Sequence, residues 1–213
     1  ADTLAFLAWH DGVPVLVDTG TSTYEPGPLR DAERGTAAHS TVTVDGVDST
    51  EVWGAFRAGR RARAHLVRVT ATADTVAVAA WHDGYRHLVG QPTHHRTWQV
   101  DRRAVRVLDR VEGAGTHRVE VAFQLAPGVT VTAAAPGAGA GELAVTPASG
   151  RRLALRAAGP GRWELSRGRR ATGWGTTAPA TTAVYVVDGP LPIEVRTELA
   201  DHPAPAHPAP TAG

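Results

Sequence analysis

Asp18 and His39 stand 21 positions apart and offer a carboxylate and an imidazole, donor types that suit a zinc ion. They can meet only if adjacent strands bring them together. Taken alone, they read more simply as an aspartate in a strand-end turn and a buried, hydrogen-bonded histidine. Tyr24 follows in the same stretch; its phenol could donate a proton to a departing oxygen, or pack as a loop aromatic. Arg30 and Arg34 could clamp a carboxylate through two parallel hydrogen bonds. Solvated surface arginines are the plainer reading, because every basic Lys/Arg position in this chain is Arg.

His82, His87, His94 and His95 cluster around Trp81, Tyr85 and Trp98. Their spacing fits no compact metal motif, so they are expected to form a polar rim on a strand pair. Trp53 and Phe56 could stack on a ring-shaped ligand, although aromatic core packing is the default. No nucleophile elbow, phosphate-binding glycine loop or cysteine metal motif is present.

The elements that must hold these residues are strands. Leu4 to Trp9 and Val13 to Asp18 flank Asp11-Gly12, and Thr41 to Val44 runs into Asp45-Gly46; both dipeptides favour tight hairpin turns. Ala64 to Thr72 and Thr75 to Trp81 form a third hairpin pattern. Val105 to Leu108, Val119 to Phe123, Val129 to Thr132, Leu143 to Thr146, Leu153 to Arg156, Arg162 to Leu165, Ala183 to Val187 and Ile193 to Thr197 complete the set. About a dozen short strands with regular turns predict an all-β fold, a two-sheet antiparallel β-sandwich. Gly27 to Ala38 is the one segment with room for a helical turn, but its Pro, Gly and Arg content favours an irregular excursion. Residues 1–199 form the expected domain. Ala133 to Gly141 reads as a flexible loop, and 200–213 as a disordered Pro/Ala-rich tail.

The composition excludes several functions. A formal net charge of +1 gives no reason to expect a nucleic-acid partner, and no apolar run is long enough to span a membrane. The absence of Cys leaves the compartment open. The chain has no Lys, Asn or Met, a skew expected of a GC-rich bacterial genome. With no initiating Met, Ala1 reads as a processing point or a cut within a longer protein.

The stretch Asp11-Gly12-Val13-Pro14-Val15-Leu16-Val17-Asp18-Thr19-Gly20-Thr21, followed by Arg34-Gly35-Thr36-Ala37-Ala38-His39-Ser40-Thr41-Val42-Thr43-Val44-Asp45-Gly46, resembles the heparinase II/III family of polysaccharide lyases. Val107 to Gly113 with His117, and Gly173-Trp174-Gly175 with Leu191 to Glu194, agree in outline. The resemblance implies a carboxy-terminal β-sandwich that works with an amino-terminal helical toroid. The substrates are acidic polysaccharides containing uronic acid, cleaved by β-elimination. It further implies that Asp18 and His39 bind zinc with a histidine just before the position of Ala1; beside that pair, Tyr24 is the catalytic candidate and Arg30 and Arg34 are the substrate-binding candidates. Ser40 replaces the usual Asn, and Ala32-Glu33 stands where the family often has aromatics. Because the toroid carries the main base, this chain alone is expected to be inactive. Two alternatives remain open: a non-catalytic carbohydrate-binding or structural β-sandwich module, and an unrelated adhesion domain.

Overall fold

The computed structural model describes residues 1–133 and 141–202. The expected Ala/Gly-rich loop falls almost wholly on 134–140 and the tail mainly on 203–213, outside the described residues.

β1 (Ala8–His10) and β2 (Val13–Leu16) form the first hairpin. Asp11 and Gly12 turn it with φ of 50° and 76°, the positive pair that a right-twisting two-residue turn demands. The segment expected to be irregular is instead helical. α1 (Pro28–Arg34) is followed by a 3-10 turn at Thr36–Ala38. Pro28 pre-sets the first-turn dihedral, and Asp31 and Arg34 sit at the ends their charges favour.

The strands that follow are β3 (Val42–Val44), β4 (Val52–Trp53), β5 (Arg57–Ala58), β6 (Ala64–Ala71), β7 (Thr75–His82), β8 (Thr93–Asp101), β9 (Ala104–Glu112), β10 (Thr116–Gln124), β11 (Thr130–Ala133), β12 (Glu142–Thr146), β13 (Leu153–Ala158), β14 (Arg162–Gly173), β15 (Thr176–Pro190) and β16 (Ile193–Asp201). They build a four-stranded sheet in the order β14-β15-β10-β3 and an eight-stranded sheet in the order β11-β12-β13-β16-β9-β8-β7-β6. Small hairpins β1-β2 and β4-β5 stand beside them. The chain crosses between the large sheets after β9, so Gly113 to Gly115 joins two layers rather than closing a hairpin.

Val121, Phe123, Ala183 and Tyr185 face Leu143, Val145, Leu155 and Val195 across the sandwich. Fully burying each large apolar side chain contributes about 1.5–3 kcal/mol. This apolar cluster takes nothing from β6, β7 or β8. Under β7 and β8 the buried side chains are His82, His94 and Arg96, and a hydrogen-bonded network takes the place of the apolar core. β14 and β15 reach well beyond their sequence-predicted cores as a long hairpin, which carries Trp174 at its tip.

Candidate functional site

Asp18 lies just past β2, whose exit is fixed by a bond from the Val17 N–H to the Gln124 carbonyl. Its Oδ1 accepts from the Gly20 N–H at 2.8 Å. Gly20 has φ +76°, and a Cβ there would lie 3.0 Å from that of Ala171, so the loop needs glycine both for its turn and for its approach to β14. Thr19 ties the loop at two points: its hydroxyl donates to the Ala38 carbonyl, and its carbonyl accepts from the Ala171 N–H. The 3-10 turn then delivers His39, whose Nδ1 lies 2.6 Å from Asp18 Oδ2. The two sequence-predicted residues therefore do meet, though not by the expected pairing of adjacent strands: β2 pairs with β1 and β3 with β10.

Burial pushes the Asp18 carboxyl up, but hydrogen bonds from His39 and the Gly20 N–H outweigh it and hold it below the ordinary carboxylate range. The ionised carboxylate accepts from His39 Nδ1–H, leaving Nε2 as the ring position a further partner can use. Among the described residues no group of three or more His, Cys, Asp or Glu could hold a metal ion. Asp18 and His39 are apt zinc donors by type, yet two donors are fewer than a closed zinc site takes.

Tyr24 stands on the loop beyond Asp18, half exposed. Its ring centroid is 4.6 Å from that of Trp174 and 5.3 Å from that of Phe56. Phe56 and Trp174 are 70% and 65% exposed, so Phe56 is no core residue, and neither is exposed Trp53. These three rings come from separate segments, and the Gly175 N–H docks the Trp174 hairpin on the Ser22 carbonyl. Sequence reasoning named Trp174 only within a matching block. Its position at a glycine-flanked hairpin tip was the available signal.

Arg30 and Arg34 hold this wall up. The Arg30 guanidinium lies 5.4 Å from the Tyr24 ring centroid and 6.0 Å from that of Phe56. Its Nε donates to the Ala55 carbonyl and its Nη1 to the Thr21 hydroxyl. Arg34 donates to the carbonyls of Trp53, Gly54 and Arg57, bracing the β4–β5 hairpin that presents Phe56. Glu33 is buried and accepts from both the Ser22 N–H and its hydroxyl, anchoring the Tyr24 loop from below. Arg170, also buried, donates to the Thr181 carbonyl and the Thr182 hydroxyl; burial pushes its guanidinium down while the Asp18 charge raises it.

His82 and His94 do not form the expected rim; both are 0% exposed. The Gly84 N–H donates to His82 Nδ1, so His82 carries its proton on Nε2 and donates to His94 Nδ1 at 3.1 Å. His94 Nε2–H then donates to Asp109 Oδ1 at 2.7 Å. Burial pushes both imidazoles down, His82 to about 2. His95 is partly exposed and stacks on Trp81 opposite His65. Strand β8, which bears His94 and His95, escaped the sequence reading because its Thr-His-His-Arg start lacks an apolar alternation.

Among the described residues no helix is long and apolar enough to cross a membrane. The chain overlays a heparinase III gene product at 17% identity and TM-score 0.75, covering 94% of this chain and 30% of that one. It overlays the heparan sulfate lyase HepC from Pedobacter heparinus at 17% identity and TM-score 0.76, covering 96% and 31%. This chain thus spans about a third of the length of those proteins, and the overlays show a shared fold. No curated protein matches it in sequence. The family model for the heparinase II/III-like C-terminal region matches residues 1–203, which removes the unrelated adhesion reading. The chain belongs to the heparinase II/III-like family, as its C-terminal domain.

Proposed function

We propose that this domain forms one wall of the substrate cleft of a polysaccharide lyase that cleaves uronic-acid glycans by β-elimination. The supporting observation is the 2.6 Å Asp18–His39 contact next to the loop that carries Tyr24, whose ring meets Phe56 and Trp174 from two other segments. In such a reaction the substrate carboxylate is neutralised, a base removes the C5 proton, and an acid protonates the departing O4. Tyr24 is the proposed donor to that oxygen. The exposed rings offer apolar faces to sugar rings, and the Arg30 guanidinium, paired with Glu33 at 3.9 Å, backs Tyr24 and Phe56. Arg34 acts on the same wall by bracing the Phe56 hairpin. The helical domain of the parent protein supplies the base and the opposite wall.

Asp18 and His39 are the proposed zinc donors. The remaining ligand must come from outside the described residues, where the family resemblance puts a histidine preceding Ala1. Bound zinc supplies a fixed positive charge to the cleft.

The test uses the parent enzyme, its Tyr24→Phe variant and this chain alone, with unsaturated uronate read by ultraviolet absorbance on acidic polysaccharides. The expectation is turnover by the parent, at least about 100-fold loss in the variant, and none from this chain. Unchanged turnover by Tyr24→Phe removes the proton-donor role. Product from this chain alone overturns the shared cleft. A second reading, a carbohydrate-binding wall without chemistry, is supported by the exposed rings of Tyr24, Phe56 and Trp174. It predicts glycan binding to this domain with parent turnover indifferent to Tyr24, Asp18 and His39.

A further inference from the structure

Arg96 has 1% of its surface exposed and sits on β8, outside the apolar core. Its Nε and Nη2 donate to the two oxygens of Asp109 at 2.6 and 3.1 Å. Its Nη1 donates to two backbone carbonyls, Leu4 and Ser40, both at 2.8 Å. One planar guanidinium therefore joins three segments: β9, the chain entry before β1, and the backbone carbonyl immediately after His39. Thr41 adds a second tie to the entry segment, its hydroxyl donating to the Thr3 carbonyl at 2.8 Å.

The same backbone is also held from β10. Gln124 Nε2 donates to the Ala37 carbonyl at 2.7 Å and the His39 carbonyl at 3.4 Å, and its N–H donates to Ser40 Oγ at 3.0 Å. Gln124 is oriented in turn by the Thr182 hydroxyl, which receives Arg170.

We propose that Arg96 is a positioning residue whose guanidinium clamps the Ser40 and Leu4 carbonyls and so sets the His39 ring against Asp18, in register with the chain that enters before Leu4. The proposal rests on the reading of Asp18 and His39 as functional. A buried Arg–Asp pair adds little net stability, so its contribution here is direction. The fork is what lysine cannot copy: a single ammonium has no fixed plane with which to serve a carboxylate and two carbonyls together. The His82–His94 chain completes the counter-ion by filling the remaining acceptor site on Asp109 Oδ1.

The test compares the 213-residue chain with Arg96→Lys and with the neutral double variant Arg96→Gln/Asp109→Asn, without metal. Long-range proton–nitrogen spectra of the imidazoles report the His39 Nδ1–H that bonds Asp18, and amide exchange reports each segment. The expected result is loss of the His39 Nδ1–H signal in both variants, with exchange at His39 and Thr41 faster by at least about tenfold while β13 and β16 stay protected. A folded variant with an unchanged His39 signal overturns the proposal. So does loosening that spreads equally through β13 and β16, which marks a general structural role. If Arg96→Lys does not fold, the double variant, which leaves no lone buried charge, decides; if neither folds, Arg96 is a folding residue and the proposal fails. Zinc titration of the wild-type chain joined to its upstream domain is read separately. No zinc uptake with an Arg96-dependent His39 signal removes the metal reading and leaves the clamp standing.

Discussion

His94 Nε2 lies 2.7 Å from Asp109 Oδ1 in an interior where both side chains are essentially inaccessible. That bond closes a proton-ordered chain that begins at the Gly84 N–H, and every ring nitrogen along it has a partner. Both imidazoles are buried in neutral form, which makes the fold sensitive to acid.

For His82, the folded value is about 2 against an ordinary value of 6.5. Below pH 6.5 the unfolded chain takes up a proton that the folded chain refuses, so stability is full above 6.5 and declines as pH falls. The slope is about 1.4 kcal/mol per pH unit for each such histidine. His94 has the same sign. His117 opposes them: although burial pushes it down, its bonds to Asp45 and the Ala114 carbonyl raise it overall, so its contribution is present below 6.5 and is lost as pH rises through its folded value. The expected net result is a urea midpoint that falls between pH 7 and pH 5, and a His82→Phe variant whose midpoint changes less over that window.

Asp18→Ala is expected to leave the fold intact while costing about 1–2 kcal/mol, the worth of a charge-assisted hydrogen bond at a half-exposed carboxylate. The check is a thermal midpoint lower by about 2–8 °C, together with zinc content of the upstream-joined protein. Retained zinc in this variant removes Asp18 from the ligand set.

Trp174→Ala and Phe56→Ala should each change stability by less than about 0.5 kcal/mol, since both side chains are largely exposed. Glycan affinity should fall by about fivefold or more for either, read by calorimetry with uronate oligosaccharides. Equal affinity across wild type and both variants means the aromatic wall does not touch the sugar.

Glu33→Ala strips the Ser22 N–H and hydroxyl of their buried acceptor. The expected cost is about 2–3 kcal/mol, with exchange rising first in the Ser22–Tyr24 loop. A midpoint within experimental error of wild type contradicts the anchoring role.

The tight turns at Asp11-Gly12 and Asp45-Gly46 were readable because positive φ leaves few residue choices, although only the first joins two paired strands. The Asp18–His39 approach was readable through the family resemblance, but its means was not: β2 and β3 are not paired, and a loop and a 3-10 turn bring the two side chains together. α1 was missed because seven residues are too few to show a helical apolar stripe. The length of β14 and β15 was missed because Ser-Arg-Gly-Arg-Arg and Thr-Ala-Pro-Ala-Thr lack strand alternation, and cross-strand bonding holds them extended. The Arg96 network could not be read at all: a guanidinium that gathers Asp109, Ser40 and Leu4 spans up to 92 positions, and no local pattern marks it.

β6 ends the eight-stranded sheet with a partner on one side only, and all eight of its residues are exposed. Such a margin is an invitation to a foreign strand. The ladder slips between Leu66 and Arg68, which kinks the margin and sets a cation beside the break. Straightening this border, by deleting Val67 and replacing Arg68 with an apolar residue, would turn a discontinuous rim into a template for fibril-like stacking. One irregular step in one strand thus interrupts the border that a neighbouring chain would have to copy.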